Sequence, residues 1–258
     1  MIRRRPELPG RSRVHNQRVA RRRTRLALLV LALVCGASTP ARGDEPADAE
    51  VAGEPAPEPA TKAAAKIMAL RATILETMTQ TRYQHRTKVR RREGVYLWDC
   101  SGMVAWFLRR AAPAAHRAVG KERPVARDYY RVIRRAPTRA ARQGWRRLAH
   151  IEDARPGDLF AWPRPPWFPS KNTGHVGFIL APPEPVEGLP DAYTLRILDA
   201  TSLPHDKDTR DEDGDGGFGE GTLLILTDGE GRGTAYGWFG ARSRGVIETD
   251  IVFGRVSR

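Results

Sequence analysis

The chain has 258 residues, 40% of them hydrophobic and 29% charged, with a formal net charge of +14 and only 2 cysteines. So few cysteines exclude a disulfide-dense scaffold and leave no cysteine-rich zinc site. Length and apolar content suit one domain with a proper core behind a processed N-terminus.

The N-terminus is basic, with Arg21, Arg22, Arg23 and Arg25 just ahead of the apolar run Leu26 to Val34. Small residues follow, and Ala41-Arg42-Gly43 reads as a cleavage site before Asp44. Basic region, short apolar run and small-residue exit together predict a secretory signal peptide over 1–43. The run is too short to span a bilayer. Bulky Val34 ahead of Cys35 argues against a lipoprotein site. Residues 1–43 carry 11 Arg and 1 Glu, so the expected mature chain holds 33 basic against 29 acidic side chains. Residues 44–60 are Ala, Pro and acidic residues with almost no large apolar side chains, which predicts a disordered linker. The domain is expected over 61–258.

Ile67, Leu70, Ile74, Leu75 and Met78 recur at helical spacing and predict a helix over 62–80. A basic loop, 82–94, leads to Asp99-Cys100-Ser101-Gly102. From Cys100 an apolar, helix-compatible run reaches Pro113, with Asp99 or Ser101 able to cap its start. Arginine-rich helical segments are expected to about 148. Residues 82–147 hold 19 basic and 4 acidic side chains. In an exported protein such a stretch suits an anionic polymer or lipid head group rather than nucleic acid, and solvated helix faces are the plainer reading.

Beyond 148 the pattern changes to strands: 158–162 after Pro156-Gly157, 176–180 opened by Gly174-His175, 193–198 ending on Asp199, then 223–226, 234–238 and 251–256. Helices first and strands after predict an α+β domain, with N-terminal helices packed on an antiparallel sheet.

In the mature chain Cys100 stands alone, so it is inert, intermolecular or reactive. A thiol at a helix N-terminus meets the positive end of the helix dipole and unpaired backbone N–H groups, both of which favour thiolate. The plainer role is a small buried hydrophobe. His175 follows Gly174, which leaves room for a substrate backbone. His205 lies six residues past Asp199 and is a rival base or substrate contact. Asp199 is either an acceptor for an imidazole or a turn residue. Trp167 and Phe168 form an aromatic wall or plug a loop. Asp211, Asp213 and Asp215 have the spacing of a calcium loop, but Thr222 stands where that loop needs its bidentate Glu. No other metal or cofactor is expected.

The strings Asp99-Cys100-Ser101-Gly102, Pro156-Gly157-Asp158-Leu159, Gly174-His175-Val176-Gly177 and Leu198-Asp199-Ala200 resemble, in this order, the NlpC-type cell-wall cysteine peptidases, compact relatives of papain. The resemblance covers roughly 80–200 and implies a papain-like fold. It implies Cys100 as nucleophile, His175 as base and Asp199 as the residue that orients the base, and it matches Tyr83 to a tyrosine near the oxyanion. The implied substrate is an amide bond in a cell-wall peptide, with peptidoglycan stem peptides first. The long arginine-rich insertion between Cys100 and His175 departs from that family's pattern. An acyl or lipid transferase on the same scaffold, or a non-catalytic cell-wall-binding domain, are the competing readings.

Overall fold

The computed structural model describes residues 57–240, 243 and 245–257. The leader expected over 1–43 and residues 44–56 of the linker expected over 44–60 lie outside them. Thr61 starts the first helix, α1 (Lys62–Thr77), by accepting the Ala64 N–H on its hydroxyl at 3.0 Å. Its hydroxyl in turn donates to the Val256 carbonyl at 2.8 Å, which ties the helix to the end of the chain. The buried stripe is Ala63, Ala64, Ile67 and Ile74, whereas Leu75, expected on that stripe, is 40% exposed.

The helix stops before 80, and much of the expected basic loop is sheet. β1 (Gln80–Tyr83) runs parallel to β3 (Val95–Trp98), and β2 (Lys88–Arg90) antiparallel to it. These strands are short and exposed on one side, so arginine and lysine occupy their solvent positions without breaking the pairing. β3 delivers the chain to α2 (Cys100–Ala111), which buries nine of its twelve residues and is apolar nearly all round. α3 (Pro113–Ala118) and α4 (Ala126–Arg135) follow. The last part of the arginine-rich segment is not helix but β4 (Trp145–Leu148).

The remaining strands are β5 (Leu159–Pro163), β6 (Gly174–Ile179), β7 (Glu184–Pro185), β8 (Ala192–Thr201), β9 (Gly217–Thr227), β10 (Gly233–Gly237) and β11 (Val246–Val256). They correct the expected fold class. The chain forms no papain-like α+β layer of helices on an open sheet. β5, β6, β8, β9, β10 and β11 form a six-stranded antiparallel barrel, and the order β10-β9-β8-β6-β5-β11 is closed by pairing of β10 with β11. The sequence reading placed a strand only over 251–256. Closure uses the half it missed: Gly237 pairs with Val246, Tyr236 with Ile247 and Ala235 with Glu248. A register shift between Gly233 and Ala235 bends this corner.

Strand alternation sorts the core into two sides. Phe160, Trp162, Ile179, Leu195, Ile197, Leu223, Ile225, Tyr236, Ile247 and Ile251 fill the barrel. Leu159, Ala161, Val176, Phe178, Leu198, Ala200 and Phe218 face outward against α1, α2 and α4. Rings of Trp98, Trp106, Phe107, Phe178 and Phe218 meet there at 5.2–6.4 Å between neighbouring centroids. Each such fully buried side chain contributes about 1.5–3 kcal/mol. Arg71 of α1 grips Glu220 of β9 at 2.6 Å. Among the described residues no helix is long and apolar enough to cross a membrane.

Candidate active site

Cys100 is the first residue of α2, and Asp99 is its N-cap, accepting the Gly102 N–H at 2.7 Å and the Ser101 hydroxyl at 2.9 Å on Oδ1. Asp99 Oδ2 lies 3.3 Å from His85 Nδ1. The Cys100 thiol is buried and accepts backbone N–H groups from Val176 and Ser101. The donor from β6 is the residue after His175. Tyr83 comes to the same place because parallel pairing of β1 with β3 sets it beside Trp98, two residues before the cysteine.

His175 opens β6 after Gly174, whose φ of +133° suits glycine alone and where a Cβ would collide with the Trp162 carbonyl. β6 and β8 pair Ile179 with Ile197, and odd-numbered residues of both strands face the barrel interior. His175 and Asp199 therefore share that interior, at one end of the barrel. Their contact is His175 Nε2 to Asp199 Oδ2, 2.6 Å.

Asp199 is wholly buried and does more than hold His175. The same Oδ2 lies 2.9 Å from His205 Nε2, and Oδ1 accepts from the Arg210 guanidinium at 2.8 Å. Arg210 also makes a two-pronged pair with Asp208, through Nε at 2.7 Å and its terminal nitrogen at 2.8 Å. The backbone N–H of His205 donates to Asp208 at 2.7 Å, so one loop, 202–216, supplies both partners of Asp199 and locks them together. β9 makes space for that loop. Gly219 pairs with Asp199 and Gly221 with Ile197, and a Cβ at either would strike Arg210 or His205 at 2.6–2.7 Å. Sequence reasoning did not find Arg210, Asp208 or these glycines. The signal is the alternation Gly217-Phe218-Gly219-Glu220-Gly221, which empties one face of a strand in a chain that otherwise fills it.

Burial pushes the Asp199 carboxyl up, but Arg210, then His205 and His175, outweigh it and hold the group well below the usual carboxylate range. Asp199 is ionised. Burial lowers His175, against the pull of Asp199. Neutral His175 then donates Nε2–H to Asp199 and keeps its Nδ1 lone pair for a proton. The thiol departs from the sequence reading, which favoured thiolate. Burial raises Cys100, and the carboxylates of Asp99 and Asp199 raise it further, more than two backbone N–H groups lower it. At rest Cys100 is a thiol and His175 an imidazole. Burial raises Tyr83 too, and so do the neighbouring Cys100 sulfur, Asp99 and Asp199.

A cavity of about 560 Å³ unites these parts. Tyr83, Cys100 and His175 line it, with Trp162, Tyr236 and Trp238 as an aromatic wall. Trp238 packs on His205 at a tilt, centroids 4.0 Å apart, and its indole N–H donates to the Leu203 and Pro204 carbonyls. Phe168 lines the cavity too. Trp167, expected as part of that wall, is 64% exposed and does not line it. His205 is brought to Asp199 rather than to the cavity surface.

His175, Asp199 and His205 are the one group of three potential metal ligands gathered within 4.8 Å among the described residues. A buried guanidinium already sits on Asp199 at 2.8 Å, and both imidazoles reach the same oxygen at hydrogen-bond distance. That donor set fits a proton network better than a cation. Asp211, Asp213 and Asp215 lie on an exposed turn, where the Asp215 carbonyl accepts the Tyr83 N–H at 3.1 Å.

Basic side chains of 82–147 are spread over several roles. Arg110 lies over the Trp106 ring at 3.8 Å, Lys121 pairs with Asp128 at 3.0 Å, and Arg90 with Glu93 at 2.6 Å. Comparison of the chain with protein-family models, with curated proteins and with solved structures found no match.

Proposed function

We propose that the chain is a cysteine hydrolase of amide bonds, with peptidoglycan stem peptides as substrate, exported by the leader expected over 1–43. The observation that carries this reading is the opening of Cys100 and His175 onto one cavity, with His175 held by an ionised Asp199. The likeness of the Asp99-Cys100-Ser101-Gly102 and Gly174-His175 strings to NlpC-type peptidases supports the choice of substrate.

In this reading His175 Nδ1 takes the thiol proton as sulfur attacks the carbonyl carbon, because the resting thiol is not ionised. Asp199 stabilises the imidazolium that forms. The Cys100 backbone N–H, free of any intrahelical partner at the first helical position, receives the developing oxyanion. His175 then protonates the leaving amine, and with its lone pair restored draws a proton from the water that releases the acyl group.

The test is incubation of the mature protein with purified peptidoglycan and mass spectrometry of the fragments. New amine and carboxyl ends support the reading, and unchanged peptidoglycan ends it. The aromatic, largely apolar wall favours one second reading, transfer of an acyl or lipid group to an acceptor other than water. In that case the acyl group is found on an added amine or thiol rather than released as acid.

A further inference from the structure

A second concavity, of about 660 Å³, adjoins the first. Its floor is one face of α2, formed by Ser101, Ala105 and Arg109 at successive helical turns, and it begins at Asp99 beside the nucleophile. Gly102 keeps this floor low, since a Cβ there would strike the Thr87 hydroxyl at 2.2 Å. The rim carries Arg86 from the turn after β1 and Arg123 from the stretch before α4. Tyr83 of the first cavity and His85 of the second meet edge to face, ring centroids 5.7 Å apart.

The three guanidiniums of Arg86, Arg109 and Arg123 make no ion pair with a carboxylate among the described residues, and Arg123 reaches only the His85 carbonyl, at 3.5 Å. Asp99, the negative group nearest the nucleophile, is engaged with Gly102, Ser101 and His85. Glu122 is the only other acid on the rim. Exposed guanidiniums that line one groove without carboxylate partners are suited to a carboxylate, which a planar guanidinium holds in a two-pronged pair. Two of the three come from the long basic insertion and from the helix end that leads into it.

We propose that this groove is an anion subsite, which holds a carboxylate of the substrate while its scissile carbonyl lies at Cys100. The proposal rests on the hydrolase reading for its orientation and deepens it. The acyl compound has an apolar portion against Trp162 and Trp238 and an acidic portion against Arg109 and Arg123. The arginine-rich segment thus contributes to selection of one small acidic group beside the nucleophile.

Binding to a Cys100→Ala variant tests this without turnover. Three probes are titrated by calorimetry: a stem peptide with free carboxylates, the same peptide amidated, and inorganic phosphate. The free acid is expected to bind roughly tenfold or more tightly than the amide. Arg109→Gln with Arg123→Gln is expected to bring that ratio to near one, while circular dichroism and the melting temperature stay at those of the parent. Phosphate competing with the free acid identifies a general anion site, and its failure to compete a carboxylate-specific one; both support the subsite. Equal binding of acid and amide, no binding of any probe, or a ratio that survives the double substitution overturns it. A wild-type protein that shows the acid preference yet cleaves nothing leaves the subsite standing and removes the hydrolase.

Discussion

His175 and His205, thirty residues apart, bring their Nε2 atoms to the same oxygen, Asp199 Oδ2, at 2.6 and 2.9 Å. Burial opposes the charge on this carboxylate, and the two imidazoles that favour it are joined by a full counterion. That counterion is Arg210, on the other oxygen at 2.8 Å and itself clasped by Asp208. His175 lines the cavity and His205 does not. Proximity to Asp199 thus defines a pair, and access to the cavity distinguishes its members.

Cys100→Ala removes the proposed nucleophile and little else, since the thiol packs as a small buried group. Hydrolysis of peptidoglycan is expected to fall by at least about a thousandfold. The loss of stability is expected to be within about 1–2 kcal/mol by urea unfolding. Retained hydrolysis in this variant ends the scheme.

Asp199→Asn keeps the shape of the side chain and removes its charge. Arg210 then retains Asp208 and the Gly217 carbonyl, and both imidazoles lose their charged acceptor. A stability loss of about 3–5 kcal/mol is expected for breaking a buried ion pair, read from the denaturant midpoint. Turnover in the folded fraction is expected to drop about a hundredfold to ten-thousandfold, because the base loses the group that stabilises its charged form. A variant as stable and active as the parent contradicts the network.

The pH dependence follows from the directions of the shifts. His175 is lowered from its ordinary value of 6.5, so its base form persists on the acid side. The acid limb of the rate profile is expected below pH 6.5. The unfolded chain binds this proton more readily than the folded one, so stability from this group is full above 6.5 and is lost as pH falls below it. Chemical unfolding at a series of pH values reads this directly. A stability maximum on the acid side of 6.5 contradicts the sign.

Cys100, raised from its ordinary value of 9.0, is expected to react slowly with iodoacetamide at neutral pH, with a rate still climbing past pH 9. A thiol that is already fully reactive at pH 7 would mean a resting thiolate and a different first step. Mass spectrometry of the labelled peptide gives the rate.

Gly219→Ala places a methyl group where Arg210 Cγ and Nε stand, at 2.7 Å. The arginine has no room to retreat, because it is held by Asp199, Asp208 and the Gly217 carbonyl. A loss of about 1–3 kcal/mol is expected from overpacking. Trp167→Ala is the contrasting control. That ring is exposed, and its removal is expected to change stability by less than about 0.5 kcal/mol and activity by less than about twofold.

Some of this was legible from residue order alone. A capped helix start at Asp99-Cys100 needs only Asp, an apolar run and Pro113, all local facts. The strand opening at Gly174-His175 and the body of the one before Asp199 follow from alternation and turn residues, also local, although the latter runs on through Asp199 to Thr201. Positions facing one way along β6 and β8 were therefore determined before any pairing was known. The helix at 62–77 overran in the sequence reading because Met78 and Leu75 continue the period, and only contact with the barrel distinguishes buried from exposed apolar residues.

Barrel closure was not legible, and neither was the company Asp199 keeps. Closure depends on Val246–Glu248 finding β10, and an alternating polar stretch reads alike whether paired or free, because its partner lies elsewhere along the chain. The same holds for Arg210. In sequence it is one charge in a polar loop, and it becomes the counterion of Asp199 only when β9 leaves a space beside β8. Local spacing set which side chains share a strand face; long-range pairing alone decided which faces meet, and so which carboxylate holds His175 and which thiol shares its cavity.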